Sequence, residues 1–399
     1  MVYRPDYIEA LRPFMDKPLI KILAGVRRCG KSTIFRMLHD EFLNMGIPAE
    51  NIIQKSYSEM DLPENISAKE MYDELVKSIA GKGRCYLLLD EIQEIAGWEK
   101  AVNSLLESKD VDIYVTGSNS KLMSAEISTY LTGRYVSVPV YTLSFREYLA
   151  FKSDSSLSVK ELLEEYIRFG GFPIIALSDY EAQSAYQIVN GIYHTVVSRD
   201  IVKRHRINKQ DLFDRVVKYI IENMGKTFSA NSVSTFLKSE HRQVSVESIY
   251  NYLRWLEQAF VIYPCERYDI QGKSIMKTQE KYYLSDISLK YALLGYNRKM
   301  LDGALENIVF LELKRRGYEV YIGKNGTKEI DFIAIRRDEK IYVQVCVEIP
   351  KGSNREVENL MEIKDHYPKY VVTLNDLDVG IENGIKIVHL TEFLLEDKL

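Results

Sequence analysis

Eight consecutive residues, G-V-R-R-C-G-K-S from Gly25 to Ser32, have the types and spacing of a loop that holds phosphate. They match G-x-x-x-x-G-K-[ST] without departure, between an apolar run, Leu19 to Val26, and a stretch of helical spacing, Ser32 to Met45. Gly25 and Gly30 let the chain curl so that backbone N–H groups face one anion. A helix starting near Lys31 adds the positive end of its dipole. The Lys31 ammonium is expected to reach the β- and γ-phosphates of a nucleotide, and the Ser32 hydroxyl to meet Mg2+. The candidate binding set is Gly25, Arg28, Gly30, Lys31, Ser32 and Thr33.

A second constellation lies about 60 residues downstream in Y-L-L-L-D-E, Tyr86 to Glu91: a buried strand that stops at two carboxylates. Asp90 would complete the Mg2+ shell with Ser32. Glu91 is expected on the opposite side of the strand tip, where it would polarise the attacking water. A third strand, D-I-Y-V-T-G-S-N, ends in Thr116, Ser118 and Asn119. Ligands of a parallel sheet bind beyond the carboxyl ends of its strands. A polar group there would touch both γ-phosphate and water. Ser118 and Asn119 are the alternatives, Asn119 joining Lys31 and Glu91 in the catalytic set, while Thr116 reads as a turn residue.

The elements that must position these groups follow from the pattern. Apolar runs at 52–57, 86–90, 113–116 and 135–141 alternate with helical stretches at 67–80, 98–108 and 120–131. The helix Ser32 to Met45 presents Ile34, Leu38, Phe42 and Met45 on one face. Such alternation predicts a parallel sheet covered by helices on both faces. S-D-S-S-L-S at 153–158 is the most polar break and reads as the edge of the first domain. From 160 to about 262 the pattern is helical; from 265 onward strands and helices mix.

Composition bounds the rest. A chain of 399 residues, 46% hydrophobic and 28% charged, is ordinary globular protein of two or three domains. The formal net charge of −4 excludes a globally basic nucleic-acid coat, though not a local basic patch. The four cysteines, Cys29, Cys85, Cys265 and Cys346, stand singly, which argues against a zinc site or a disulfide framework and for a reducing cytoplasm. The amino-terminal M-V-Y-R-P-D-Y does not read as a signal peptide, and no run approaches the ~20 apolar residues of a membrane span.

The order phosphate loop, D-E strand, T-G-S-N strand resembles the additional-strand ATPases of the AAA type. With G-x-R-R-x-G-K-S and S-F-R-E-Y it is similar, over essentially the whole chain, to prokaryotic AAA-type ATP-binding proteins with a carboxyl-terminal half of unknown function. The resemblance implies a sheet of order 5-1-4-3-2, and ATP and Mg2+ as ligands. ATP rather than GTP agrees with the lack of an N-K-x-D guanine motif within residues 1–152. It also places an arginine just before the fifth strand, here Arg134 in L-T-G-R-Y, as an arginine finger. Arg27, Arg28 and Arg146 are rival cations.

The remaining domains are expected at 153–209 (helical lid or linker), 210–285 and 286–399. Residues 210–285 resemble a winged helix-turn-helix whose recognition face would carry Ser248, Asn251, Tyr252 and Arg254, with Lys273 and Lys277 on the wing. Val233, Phe236 and Leu237 are expected in its core. Between 199 and 218 seven Lys or Arg face three Asp, a surplus of +4 suited to nucleic-acid phosphates. Residues 286–399 resemble a restriction-endonuclease-like α/β core with Glu306 and Glu312 on a helix and Asp331 and Gln344 on a hairpin. The catalytic lysine position of that pattern holds Cys346, so metal-dependent cleavage is not expected. Lys314, Lys324 and Lys328 are the nearby substitutes. Two readings result. One is an ATPase whose nucleotide state moves a half that engages DNA through residues 199–281. The other is an ATP-dependent switch that binds a protein partner with little turnover. Either is compatible with an oligomer.

Overall fold

The structure, a computed structural model, describes residues 2–58, 66–207, 209–297, 301–350 and 355–397. The chain divides into two compact units: the first runs to Tyr141 and also takes in Gln258–Phe260, and the second comprises Thr142–Glu257 and the chain from Val261 on.

The first unit is built on five parallel strands: β1 (Ile20–Ala24), β2 (Ile52–Ser56), β3 (Cys85–Asp90), β4 (Val111–Gly117) and β5 (Tyr135–Pro139). Their order is β2-β3-β4-β1-β5, which is the expected 5-1-4-3-2. β1, β3 and β4 are buried along their whole length, because helices cover both faces. That burial strands one charge, Lys21, in the middle of β1. Asp112 on the neighbouring strand pairs with it, and both side chains are fully inaccessible. Helix Lys31–Asn44 buries Ile34, Phe35, Leu38 and Phe42. Met45, expected on that face, caps the helix end and is 49% exposed. The expected helix at 120–131 is two pieces, a 3-10 turn Ser120–Met123 and a helix Ala125–Tyr130.

The first unit therefore ends before the expected boundary at 152. Of the serines that suggested a linker, Ser158 is a helix cap, and Ser144, upstream of them, is another. Ser144 and Ser158 each accept the backbone N–H three residues on, and Glu147 and Glu161 return the bond.

Beyond Tyr141 the chain is helical from Phe145 to Gln258, with helices Gln210–Glu222, Ala230–Ser239 and Val246–Gln258 before the hairpin β6 (Ile262–Asp269) and β7 (Ser274–Leu284). Three helices and a hairpin are the element order expected for 210–285. Tyr252 is not on an exposed face, however; it is buried against Phe213 and Trp255. The exposed side of that helix carries Glu247, Tyr250 and Arg254. Phe236, expected in the core, is 44% exposed, its ring 5.2 Å from that of Tyr219. The side chain of Lys277 lies outside the described residues.

β6 and β7 do not stand apart. They form one end of an eight-stranded mixed sheet with β8 (Glu319–Asn325), β9 (Lys328–Arg336), β10 (Glu339–Cys346), β11 (Lys369–Thr373), β12 (Gly380–Glu382) and β13 (Ile385–His389). Its order is β12-β13-β11-β10-β9-β8-β6-β7. The expected break at 285/286 thus cuts a continuous hydrogen-bonded sheet, while the expected Asp331–Gln344 hairpin is present as β9–β10. All four cysteines are free and buried.

Candidate nucleotide site

The loop from Gly25 to Gly30 turns between β1 and helix Lys31–Asn44 through two left-handed residues, Arg28 (φ 66°) and Gly30 (φ 106°). Gly25 is required by closeness: a Cβ there would sit 2.0 Å from the Val140 carbonyl oxygen. The Lys31 ammonium is buried and curls back into the loop, donating to the carbonyls of Gly25 (2.9 Å) and Val26 (3.2 Å). Arg28 and Ser32 are exposed and Thr33 is half-buried on the first turn.

The carboxylates meet this loop. Ser32 Oγ donates to Asp90 Oδ2 at 2.7 Å, so the two residues expected at the cation are already in contact. Thr116 Oγ1 donates to the other Asp90 oxygen and accepts the Glu91 N–H at 3.2 Å. It is a fixing residue rather than a turn residue. Glu91 follows β3 in a left-handed conformation (φ 53°), and this turn brings its carboxylate to 3.7 Å from Lys31. Burial pushes its carboxyl upward, but Lys31 and Arg27, with hydrogen bonds from Gln93 and Ser118, outweigh burial and hold it below the usual range. Glu91 is therefore ionised at neutral pH. Ser118 Oγ donates to Glu91 Oε2 at 3.1 Å. Asn119 does not reach this group: its side chain caps the next turn through the Lys121 N–H (2.8 Å).

Arg134 is not brought to the loop. Tyr135 pairs with Ile20 and Pro139 with Ala24, so Arg134 stands at the end of the sheet away from the loop, about 16 Å along the strand direction. Its guanidinium binds Glu107 and Asn103. Among the rival cations, Arg27 lies 3.8 Å from Glu94, whereas Arg146 binds Asp397 in the second unit. Sequence reasoning missed Arg4, which is 1% exposed and donates to Cys29 O in the loop (2.8 Å) and to Tyr141 O (3.1 Å).

A protein of Haemophilus influenzae is 37% identical over 400 residues, 99% of each chain, and one of Methanocaldococcus jannaschii is 31% identical over 90% of this chain and 82% of its own. Both are uncharacterized. Residues 17–149 match the AAA domain family, and residues 160–299 match a domain of unknown function (DUF8612). The chain belongs to this family of AAA-domain proteins. Its first unit is accordingly an AAA-type P-loop domain with a nucleotide-binding, ATPase-like site. Among solved structures, the Aeropyrum pernix ORC1 protein in complex with DNA aligns at 14% identity and TM-score 0.29, over 72% of this chain and 90% of that one. The Saccharomyces cerevisiae Hsp104:casein complex aligns at 14% identity and TM-score 0.33, over 64% and 49%. Neither likeness adds to the sheet order. No helix among the described residues is long and apolar enough to cross a membrane.

The N-K-x-D tetrapeptide absent from the AAA domain does occur once, as N-K-Q-D at 208–211 in the second unit; Asn208 lies outside the described residues. Asp211 there binds Arg242.

The second unit holds its own charge cluster. Glu306, on helix Asp302–Arg315, accepts from Tyr283 at 2.9 Å and faces Lys281 at 3.6 Å. Lys281 binds Glu329 at 2.9 Å, and Arg267 binds it at 2.8 Å. Burial first, and the Glu306 carboxylate second, push Asp331 well above the usual range. Asp331 accepts the Val345 N–H at 2.8 Å, and its own N–H donates to Gln344 at 2.6 Å. Glu312 turns away, to Arg316. Cys346 lies in the apolar core, its thiol pushed up to about 12 by burial. The cation beside these carboxylates is thus Lys281, from the β6–β7 hairpin, and not one of the lysines nearby in sequence; Lys328 pairs with Glu362. Among the described residues no group of three or more His, Cys, Asp or Glu is arranged to hold a metal ion.

Proposed function

We propose that the protein binds Mg-ATP in the first unit and hydrolyses it with Glu91 as general base, and that nucleotide state governs a second unit that engages nucleic acid. The observation that supports this most is that two consecutive carboxylates, distant in sequence, meet the residues that close the loop: Asp90 with Ser32 at 2.7 Å, and Glu91 with Lys31 at 3.7 Å. The hydroxyl and carboxylate oxygens of Ser32 and Asp90 are hard donors of the kind Mg2+ takes when phosphates and water complete its shell. Bound there, the cation would neutralise charge on the transferring phosphoryl group. Lys31 would leave the Gly25 and Val26 carbonyls for the phosphates. Glu91, ionised and shielded from solvent, would accept the proton of the attacking water.

For the second unit, the support is electrostatic. Arg199, Lys203, Arg206, Lys209 and Lys218 are exposed, whereas Asp200 is buried and Arg215 is bound to Glu240. A winged-helix reading of 210–285 and a cytoplasmic location fit this picture. The position of Arg134 favours the second reading, a switch with little turnover that binds a protein partner. Lys31→Ala should abolish nucleotide binding or turnover. Glu91→Gln should retain binding and lose hydrolysis, and undiminished hydrolysis by that variant would sink the assignment of the base.

A further inference from the structure

Gln93 sits in the 3-10 turn Ile92–Glu94 that follows Glu91, and nothing in the phosphate-loop logic calls for it. Its amide Nε2 donates to Glu91 Oε2 and lies 3.4 Å from Ser118 Oγ, which donates to the same oxygen. The amide orientation is determined, because reversing it would set two oxygens against each other. The other end of the amide, Oε1, is buried with no hydrogen-bond partner. Leaving a buried acceptor unsatisfied is costly, and such groups in native folds call for an explanation. The chain also makes room for it: a Cβ on Gly117 would lie 2.0 Å from Gln93 Oε1 and 2.2 Å from Leu122 Cδ1.

We propose that Gln93 is a positioning residue that, with Ser118, occupies Oε2 of Glu91 and so selects Oε1, the oxygen facing Lys31, as the one that takes the proton. The inference rests on Glu91 being the base. It explains why an amide is wedged beside a glycine with its own carbonyl unsatisfied. The left-handed backbone at Glu91 sets the direction of the side chain, and two donors on one oxygen fix its rotation about the last bond. A carboxylate free to rotate would spend part of its time with either oxygen turned from the water.

The test compares Gln93→Met, which keeps the length and removes the amide, with Gly117→Ala, which displaces the amide without altering it. Steady-state kcat and KM for ATP are measured from pH 5 to 9, alongside affinity for the fluorescent analogue mant-ATP and thermal melting. Both variants should lower kcat by about 10–100-fold, with KM and mant-ATP affinity changed less than about threefold. The double variant should be no worse than the weaker single one, since both act through one group. The acidic limb of the kcat profile should move to higher pH in Gln93→Met and, in the same direction, in Ser118→Ala. The reason is that each variant removes one of the two hydrogen bonds that help Lys31 and Arg27 hold the Glu91 carboxyl down against burial, with Asp90 beside it in sequence and the Arg27 partner Glu94 as further charges. A destabilised but correctly positioned site would not move that limb. If Glu91→Gln is inactive while Gln93→Met keeps wild-type kcat and an unmoved limb, the inference is overturned and the base assignment stands. If Glu91→Gln turns over normally, both fall. Should Gly117→Ala fail to fold, Gln93→Met and Ser118→Ala decide the matter.

Discussion

Arg4→Met tests whether the loop is held from behind by a residue outside the motif. The Arg4 guanidinium makes charged hydrogen bonds to Cys29 O (2.8 Å) and Tyr141 O (3.1 Å) and stacks 4.5 Å over the Tyr7 ring. Each charged bond is worth about 1.5–3 kcal/mol, and the cation–π contact about 1–2. Against this, the variant no longer buries a charge, which returns several kcal/mol of desolvation. The balance is a loss of about 2–4 kcal/mol, the upper range for a single substitution. The assay is urea denaturation followed by tryptophan fluorescence in a Trp255→Phe background, where Trp98 of the first unit is the remaining reporter. The midpoint should fall, and mant-ATP affinity should weaken about tenfold, because the Cys29 carbonyl belongs to the loop that must be ordered around phosphate. Arg4→Lys should recover little, since a single ammonium does not reproduce the two-pronged grip of a guanidinium. An Arg4→Met protein with an unchanged midpoint and unchanged affinity would refute the reasoning.

Four further outcomes are expected. Glu257 is raised from 4.5 to about 7 by burial and then by Glu280, with Arg254 opposing. A carboxyl raised in this way keeps its proton in the folded state where the unfolded chain has lost it, so stability falls as pH rises from about 4.5 through about 7. Glu257→Gln should flatten that dependence and add about 1–3 kcal/mol at pH 8, read by urea titration at several pH values. If the exposed basic residues between 199 and 218 neutralise about four phosphates, DNA affinity should fall with salt at a log–log slope near −3.6, and absence of binding at low salt by fluorescence anisotropy would favour the protein-binding switch. Supercoiled plasmid should stay intact with Mg2+ or Mn2+; nicking that disappears in Asp331→Ala would show that a substitute cation supports cleavage after all. Arg134→Ala should leave ATP turnover of dilute protein unchanged, whereas a loss that deepens as protein concentration rises would mark Arg134 as acting on a neighbouring molecule.

What could be read without coordinates was local. The G-x-x-x-x-G-K-S loop, the apolar strand before Asp90 and Glu91, and the β-α alternation are contiguous signals, and the five-stranded order agrees with them. The positions that escaped are set by long-range geometry. Arg4 reaches Cys29 and Tyr141 through folding alone. Lys281 meets Glu306 and Asp331 because β7 lies in the same sheet, though no spacing announces it. Ser118 and Asn119 are equally polar, and only the turn that Asn119 caps separates them. Tyr252 is a matter of helix phase: at a three-residue step from Ile249 it falls on the buried side. The position of Arg134, by contrast, was readable. In a parallel sheet every strand starts at one end and finishes at the other, so a residue just before β5 cannot lie beside a loop that follows β1.

The four thiols supply the chain with internal clocks. A thiolate, not a thiol, attacks disulfide reagents, and burial here raises the pKa of Cys29, Cys265 and Cys346. Reaction therefore waits for an opening that lets solvent in. Cys29 lies in the phosphate loop, Cys85 on β3, and Cys265 and Cys346 on two strands of the mixed sheet. Each rate of modification thus reads out the breathing of a different stretch of the fold. With the other three cysteines replaced by serine or alanine, the rate at which Cys29 reacts measures how often the phosphate loop opens to solvent.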